Sequence, residues 1–263
     1  MWKYTDPPST AIMIGKHDNA VRCLKYVPEM NCVVTGSWDK SIRIWDPRMP
    51  NQWISNTHVS ERVYAMDVKQ GKIVAGTADK HIHSFDDLRN MGVKVQYPSP
   101  LQYQTRCISI FNDLQGFAVG CIEGRVQIEY FNEIYKRVNN APKASTDKSF
   151  AFKCHRHDSD IYTINAIDFH PHNTFCTAGS DGVFTWWDKD SKHRLGTFEK
   201  YKKQQSISAI KFNSGGNLMA YALSYDWSKG SSGNPNAALN KVFIHRIDDA
   251  EIRPKAQTGA SRR

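Results

Sequence analysis

The groups in this chain that could bind a metal, act as a nucleophile or move a proton are 10 histidines, 6 cysteines and 26 acidic residues. Their spacing decides which of these chemistries is open. His17 and Asp18 stand ahead of a series of short apolar segments, Asp39 falls in a tight turn, and Trp45 closes the segment that follows. A histidine, a turn carboxylate and an indole N–H can be joined in one buried hydrogen-bonded network. The same acidic position recurs at Asp79 and Asp181, and the same indole at Trp187. A scaffold needs such repetition and a single active site does not, so His17, Asp39, Trp45, Asp79, Asp181 and Trp187 are read as structural. The pairs His81/His83 and His155/His157 are spaced i, i+2, which on a strand puts both rings on one face. Further metal ligands are missing nearby in sequence, so these pairs, like His170-Pro171-His172, are read as ordinary surface or interior histidines. The cysteines sit singly in apolar runs with no C-x-x-C pair and read as reduced, small buried hydrophobes. No nucleophile elbow, phosphate-binding glycine loop or H-E-x-x-H stretch occurs. The expectation is a protein without catalytic residues, metal or cofactor.

The elements that carry these residues repeat. Asp39-Lys-Ser-Ile-Arg-Ile-Trp45-Asp46 aligns with Asp79-Lys-His-Ile-His-Ser-Phe85-Asp86, and the frame returns at Glu123–Glu129, at Asp181–Asp188 and more loosely at Val242–His245. Including Trp2, the closing positions are 2, 45, 85, 129, 187 and 245, at intervals of 43, 40, 44, 58 and 58 residues. Propeller blades of the WD-repeat kind have a period of roughly 40–45 residues. Within each interval lie short β-branched or aromatic runs bounded by turn residues, such as Val21–Tyr26, Cys32–Thr35 and Ser41–Trp45. No long window has the 3.6-residue apolar period of a helix. The fold class predicted is all-β, a β-propeller with five full three-strand sets. A leading Met-Trp-Lys-Tyr fragment and a strand over Thr10–Ile14 precede them.

Composition bounds the rest. The 263 residues are 40% hydrophobic and 23% charged, too apolar and too mixed in sign for a disordered chain. No apolar run is long enough to span a bilayer, and the N-terminus lacks a secretory pattern, so a soluble intracellular protein is expected. The two long intervals hold polar insertions, 132–149 and 225–240, which read as surface loops. Residues 1–249 form one predicted domain and 250–263 a basic, flexible tail. With 35 basic residues and a net charge of +9, acidic peptides or nucleic acid are the favoured partners. Three features stand above the repeat framework: Phe152-Lys153-Cys-His-Arg156, Trp38 in the turn between two strands, and the aromatic-basic run Ser224-Tyr-Asp-Trp227-Ser-Lys229-Gly. Loop aromatics and arginine are the residue types that dominate binding hot spots.

At these residues the chain resembles a known family. The runs Thr35-Gly-Ser-Trp-Asp-Lys40, Glu61-Arg-Val-Tyr64, Gln104-Thr-Arg-Cys107, Ile122-Glu-Gly-Arg-Val126, Phe152–Arg156 and Ala178-Gly-Ser-Asp-Gly182 are similar to the WD-repeat messenger-RNA export factors (the Rae/Gle family) and to their sister, the mitotic checkpoint WD-repeat proteins (Bub-three). The Tyr225-Asp-Trp227 loop, Trp187–Asp190 and Thr77–Ile82 lean toward the export factors, whereas Asp87–Gly92, Pro28-Glu29 and Trp45–Arg48 lean toward the sister. The long loop is weighed most heavily. The resemblance implies a non-catalytic adaptor at the nucleus and nuclear pore, and also in the cytoplasm, that grips an acidic GLEBS-type segment of a GLFG-repeat nucleoporin. The alternatives are a checkpoint kinase as partner at kinetochores, or direct RNA binding. It implies that Arg156 pairs with a partner glutamate, flanked by Lys153, and that Trp38 adds apolar contact. Trp227 and Lys229, with Phe169, would form a patch for nucleic acid or other ligands. No membrane insertion is implied. The family has seven blades, so truncation is expected, with closure at five as the other option.

Overall fold

A computed structural model describes residues 11–88, 91, 94–140, 148–202, 205–233 and 240–254. The Met1–Tyr4 fragment and the end of the basic tail lie outside the described residues. The chain divides into two compact units, one of residues 1–110 with 135–143 and one of residues 111–134 with 144–263.

In the first unit, β1 (Val21–Val27), β2 (Cys32–Ser37), β3 (Ser41–Trp45) and β4 (Trp53–His58) form an antiparallel sheet in sequence order. A second sheet repeats it with β5 (Val63–Lys69), β6 (Lys72–Thr77), β7 (His81–Phe85) and β8 (Lys94–Pro98). β9 (Thr105–Ile110) is the last strand of this unit. The inner strands of each sheet are buried on both faces, with Ile42 and Ile44 on one face of β3 and Ser41, Arg43 and Trp45 on the other. Val34, Ile42 and Ile44 are buried with Val63, Ile73 and Phe85 in one cluster. The stacking is close: a Cβ at Gly36 would meet Val63 Cγ1 at 2.8 Å. Asp67 on β5 accepts the Ile110 N–H at 2.8 Å and pairs with Lys25 at 2.8 Å, tying three successive blades together.

The second unit holds β10 (Gly116–Cys121), β11 (Arg125–Tyr130) and β12 (Phe150–Lys153), then a two-stranded ribbon of β13 (Arg156–His157) and β14 (Asp160–Ile161). The fourth blade is β15 (Ile164–Phe169), β16 (Phe175–Gly179), β17 (Phe184–Asp188) and β18 (His193–Phe198). The fifth is β19 (Ile207–Phe212), β20 (Leu218–Leu223) and β21 (Lys241–Arg246), with three strands. Asp168 repeats the strut of Asp67, accepting the Phe212 N–H at 2.8 Å and the Lys211 ammonium at 2.6 Å. The fold is therefore an all-β propeller of five blades among the described residues.

Three expectations need amending. Residues 11–14 are described and are not in a strand, although the Ile14 carbonyl accepts the Asn51 N–H at 2.6 Å. The insertion 132–149 is not loop throughout: helix α1 (Phe131–Val138) occupies its start, with Phe131 and Ile134 buried one turn apart. Its Glu133 accepts the Ser149 N–H at 2.9 Å, which fixes the return of the chain into β12. Eight residues are too few to stand out as a helical period in sequence. In the segment predicted as tail, Asp249–Ile252 forms a second short helix, α2, with a capping box at Asp248 and Ile252 buried.

Candidate functional site

The repeated polar residues form one network per blade. In the first, His17 Nδ1 lies 2.7 Å from Asp39 Oδ2 and Nε2 lies 2.7 Å from the Thr35 hydroxyl, to which Trp45 Nε1 donates at 2.7 Å. In the fourth, His155 Nδ1 lies 3.0 Å from Asp181, Nε2 lies 2.8 Å from Thr177, and Trp187 Nε1 donates to Thr177 at 2.9 Å. The second blade varies the theme: Thr77 donates to Asp79 at 2.5 Å, Ser60 bonds His83 Nε2 at 2.9 Å, and Phe85 stands where the indole was. Burial would raise the carboxyl of Asp39, but bonds from Ser41 and His17 and from the Asp18 amide outweigh it and hold it at about 2. Burial is likewise outweighed at Asp181, lowered by His155 first. Each carboxylate is thus a fixed anion inside its blade, with every oxygen engaged by its own scaffold rather than offered to a substrate. The threonine is the hub that sequence reasoning missed. Its signal was a position ten residues before each tryptophan.

Arg156 sits on the β13–β14 ribbon, opposite Ile161 in the register. Directly paired residues project from the same side of a ribbon, so the arginine has an apolar neighbour, Ile161, which is 49% exposed. Its guanidinium is anchored by main chain: one Nη donates to the Glu123 carbonyl at 2.7 Å and Nε to the Gly124 carbonyl at 3.4 Å. The Glu123 carboxylate lies 3.4 Å away and also reaches Arg125 Nε at 3.4 Å. Gly124 has φ +61°, and a Cβ there would come within 2.6 Å of the Cys154 carbonyl oxygen, so the turn that cradles Arg156 requires glycine. Lys153 is exposed, and with Arg156, His157 and Arg194 it lines a pocket whose wall includes Trp187. The lining carries both signs, with Glu199 beside these cations, and its buried carboxylate, Asp181, is taken up by His155 and His157.

Trp227 is 62% exposed, has φ +59°, and lies 5.8 Å from Tyr225. Asp226 between them accepts from Ser180 at 2.5 Å and Ser206 at 3.2 Å, which fastens the loop to two strand ends. Burial would raise its carboxyl, and the serine hydrogen bonds overcome this and lower it. Lys229 is exposed, with its N–H bonded to the Tyr225 hydroxyl at 2.8 Å. Trp38, in the first unit, is 38% exposed and edge-on to Tyr64 at 6.5 Å. Phe169 does not belong with these residues. It is 4% exposed and packs against Phe111 at 4.9 Å and Phe175 at 5.1 Å, because it ends β15 facing the blade core. Glu123, Gly124 and Ile161 are the neighbours that sequence reasoning did not bring to the site.

Among the described residues, no group of three or more histidine, cysteine or acidic side chains is placed to hold a metal ion. The family model "WD domain, G-beta repeat" matches residues 10–46 and 148–188. The mRNA export factor GLE2 of Chaetomium thermophilum is 43% identical over 257 residues, covering 93% of this chain and 67% of that protein. The poly(A)+ RNA export protein of Schizosaccharomyces pombe is 37% identical, over 94% of this chain and 68% of that protein. The mitotic checkpoint protein BUB3.1 of Arabidopsis thaliana is 38% identical, over 92% of this chain and 70% of that protein. The chain spans about two thirds of the length of these relatives.

Proposed function

The chain belongs to the WD-repeat family that joins the Gle2 and Rae1 mRNA export factors to the Bub3 checkpoint proteins, and we propose that it is a non-catalytic adaptor in mRNA export that docks on a nucleoporin through an acidic, GLEBS-type segment. The observation that carries this is Arg156: a partly exposed guanidinium held by main-chain carbonyls beside a half-exposed isoleucine. A planar fork of donors fixed in place is suited to a carboxylate, and an adjacent apolar side chain excludes water from the pair. The export reading places the protein in the nucleus and at the pore.

Arg156→Ala should weaken an acidic nucleoporin-type peptide by roughly 2–5 kcal/mol, because the partner's carboxylate would be left unpaired. Titration of the labelled peptide measures it, and a loss below about 0.5 kcal/mol would take Arg156 out of the interface. A second reading, a checkpoint adaptor holding a kinase segment, is favoured by the likeness to BUB3.1. It uses the same arginine and differs in which acidic segment wins a competition.

A further inference from the structure

The proposed docking has Arg156 meet a partner carboxylate, yet the guanidinium already faces one. Glu123 Oε1 lies 3.4 Å from an Nη of Arg156, and Oε2 of the same side chain lies 3.4 Å from Arg125 Nε. Both contacts are long, and both side chains are about one quarter exposed, at 23% for Arg156 and 24% for Glu123. The contribution of such a pair to stability is small. Nor is the carboxylate needed to aim the arginine, since the main-chain carbonyls of Glu123 and Gly124 do that, at 2.7 and 3.4 Å. Among the described residues the remaining Nη has no hydrogen-bond partner. What the Glu123 side chain does at this place is put a negative charge where an acidic segment would arrive.

We infer that Glu123 is a specificity-determining residue at Arg156, an internal carboxylate that a partner's carboxylate has to displace or tolerate. The inference rests on the docking proposed above and deepens it. A like charge within a few ångströms of an arriving anion raises the threshold for binding. The cost falls on any arriving carboxylate and not on a neutral group, so Glu123 narrows the advantage of an acidic segment at Arg156 and leaves binding to segments with enough further contacts to offset it. Glu123 thus sets how strongly Arg156 rewards a carboxylate, while Ile161 across the ribbon offers an apolar neighbour.

Removing the charge while keeping the shape tests this. Glu123→Gln retains the main-chain carbonyl that anchors Arg156, and Glu123→Ala removes the side chain altogether. Each should tighten a labelled acidic nucleoporin-type peptide by about fivefold or more. With the same peptide carrying glutamine in place of glutamate the gain should vanish, which a merely structural role would not produce. Unchanged or weaker binding in both variants overturns the inference. Arg156→Ala, titrated beside them, separates the two claims. If it weakens binding while the Glu123 variants leave it unmoved, the docking reading stands and the Glu123 inference falls. If Arg156→Ala is neutral, both fall. If the wild-type protein binds too weakly to measure, binding that emerges in Glu123→Gln supports the Glu123 inference, and none in either variant overturns it.

Discussion

Asp39 is a carboxylate whose work is to hold a turn, and its acidity shows how firmly. Its folded value of about 2, against the ordinary 3.8, means that the ionised form is stabilised by Ser41, His17 and the Asp18 amide beyond what burial costs it. A carboxyl depressed on folding contributes stability that is complete above its unfolded value and is lost as pH falls through its folded value. The contribution is therefore full above about pH 4 and disappears toward about pH 2. Asp39→Asn should lower unfolding stability at neutral pH by about 2 kcal/mol and flatten the acid limb of the stability curve. Urea melts at a series of pH values would record this. An acid limb as steep as in the wild type would place the acid sensitivity at other carboxylates, such as Asp79 and Asp181, both also lowered. His17, Asp39 and Trp45 were legible because the pattern returns in later repeats. Thr35 and Thr177 were not, since a threonine in a strand looks the same whether or not its hydroxyl joins two neighbours.

The strands themselves were the most legible layer. Alternating β-branched and aromatic runs with turn residues at fixed intervals place β1 to β3 within a residue or two. What failed were short elements whose order comes from tertiary partners. Helix α1 is set by burial of Phe131 and Ile134, α2 by its capping box and the buried Ile252, and the β13–β14 ribbon by a pairing of only two residues a side. Phe169 misled for the same reason: an aromatic near a loop gives no sign of which face of its strand is solvated. Gly124 shows how such an element reaches function. Its positive φ and the crowding at the Cys154 carbonyl mean that Gly124→Ala must move the turn. That turn supplies both carbonyls that hold Arg156. The variant should lose about 1–3 kcal/mol of stability and also weaken acidic-peptide binding, although residue 124 offers no side chain to a partner. Calorimetry with peptide titration would show the two losses together. A stability loss with unchanged affinity would mean that the ribbon alone positions the guanidinium.

The whole molecule adds charge, and charge separates the partners its parts could serve. With a net charge of +9, any polyanion is attracted, so affinity at a single salt concentration does not distinguish an acidic peptide from RNA. The salt dependence does. Nucleic acid releases condensed counterions for each phosphate neutralised, so its binding constant falls steeply and log-linearly with salt. A peptide seated by one guanidinium and apolar neighbours loses mainly its electrostatic on-rate, and its off-rate holds. The exposed Trp227 and Lys229 give an RNA strand a ring to stack on and a cation to meet, and Lys153 and Arg194 add further positive charge on the same unit. If these residues form a nucleic-acid surface, single-stranded RNA will bind with a steep slope that Lys229→Ala shallows by about one phosphate contact. Acidic-peptide binding by the same protein will slope far less. A flat salt response for RNA would leave the +9 to encounter rates and Arg156 as the one recognition centre argued above. A steep response that Lys229→Ala leaves untouched would move the RNA surface away from the Trp227 loop.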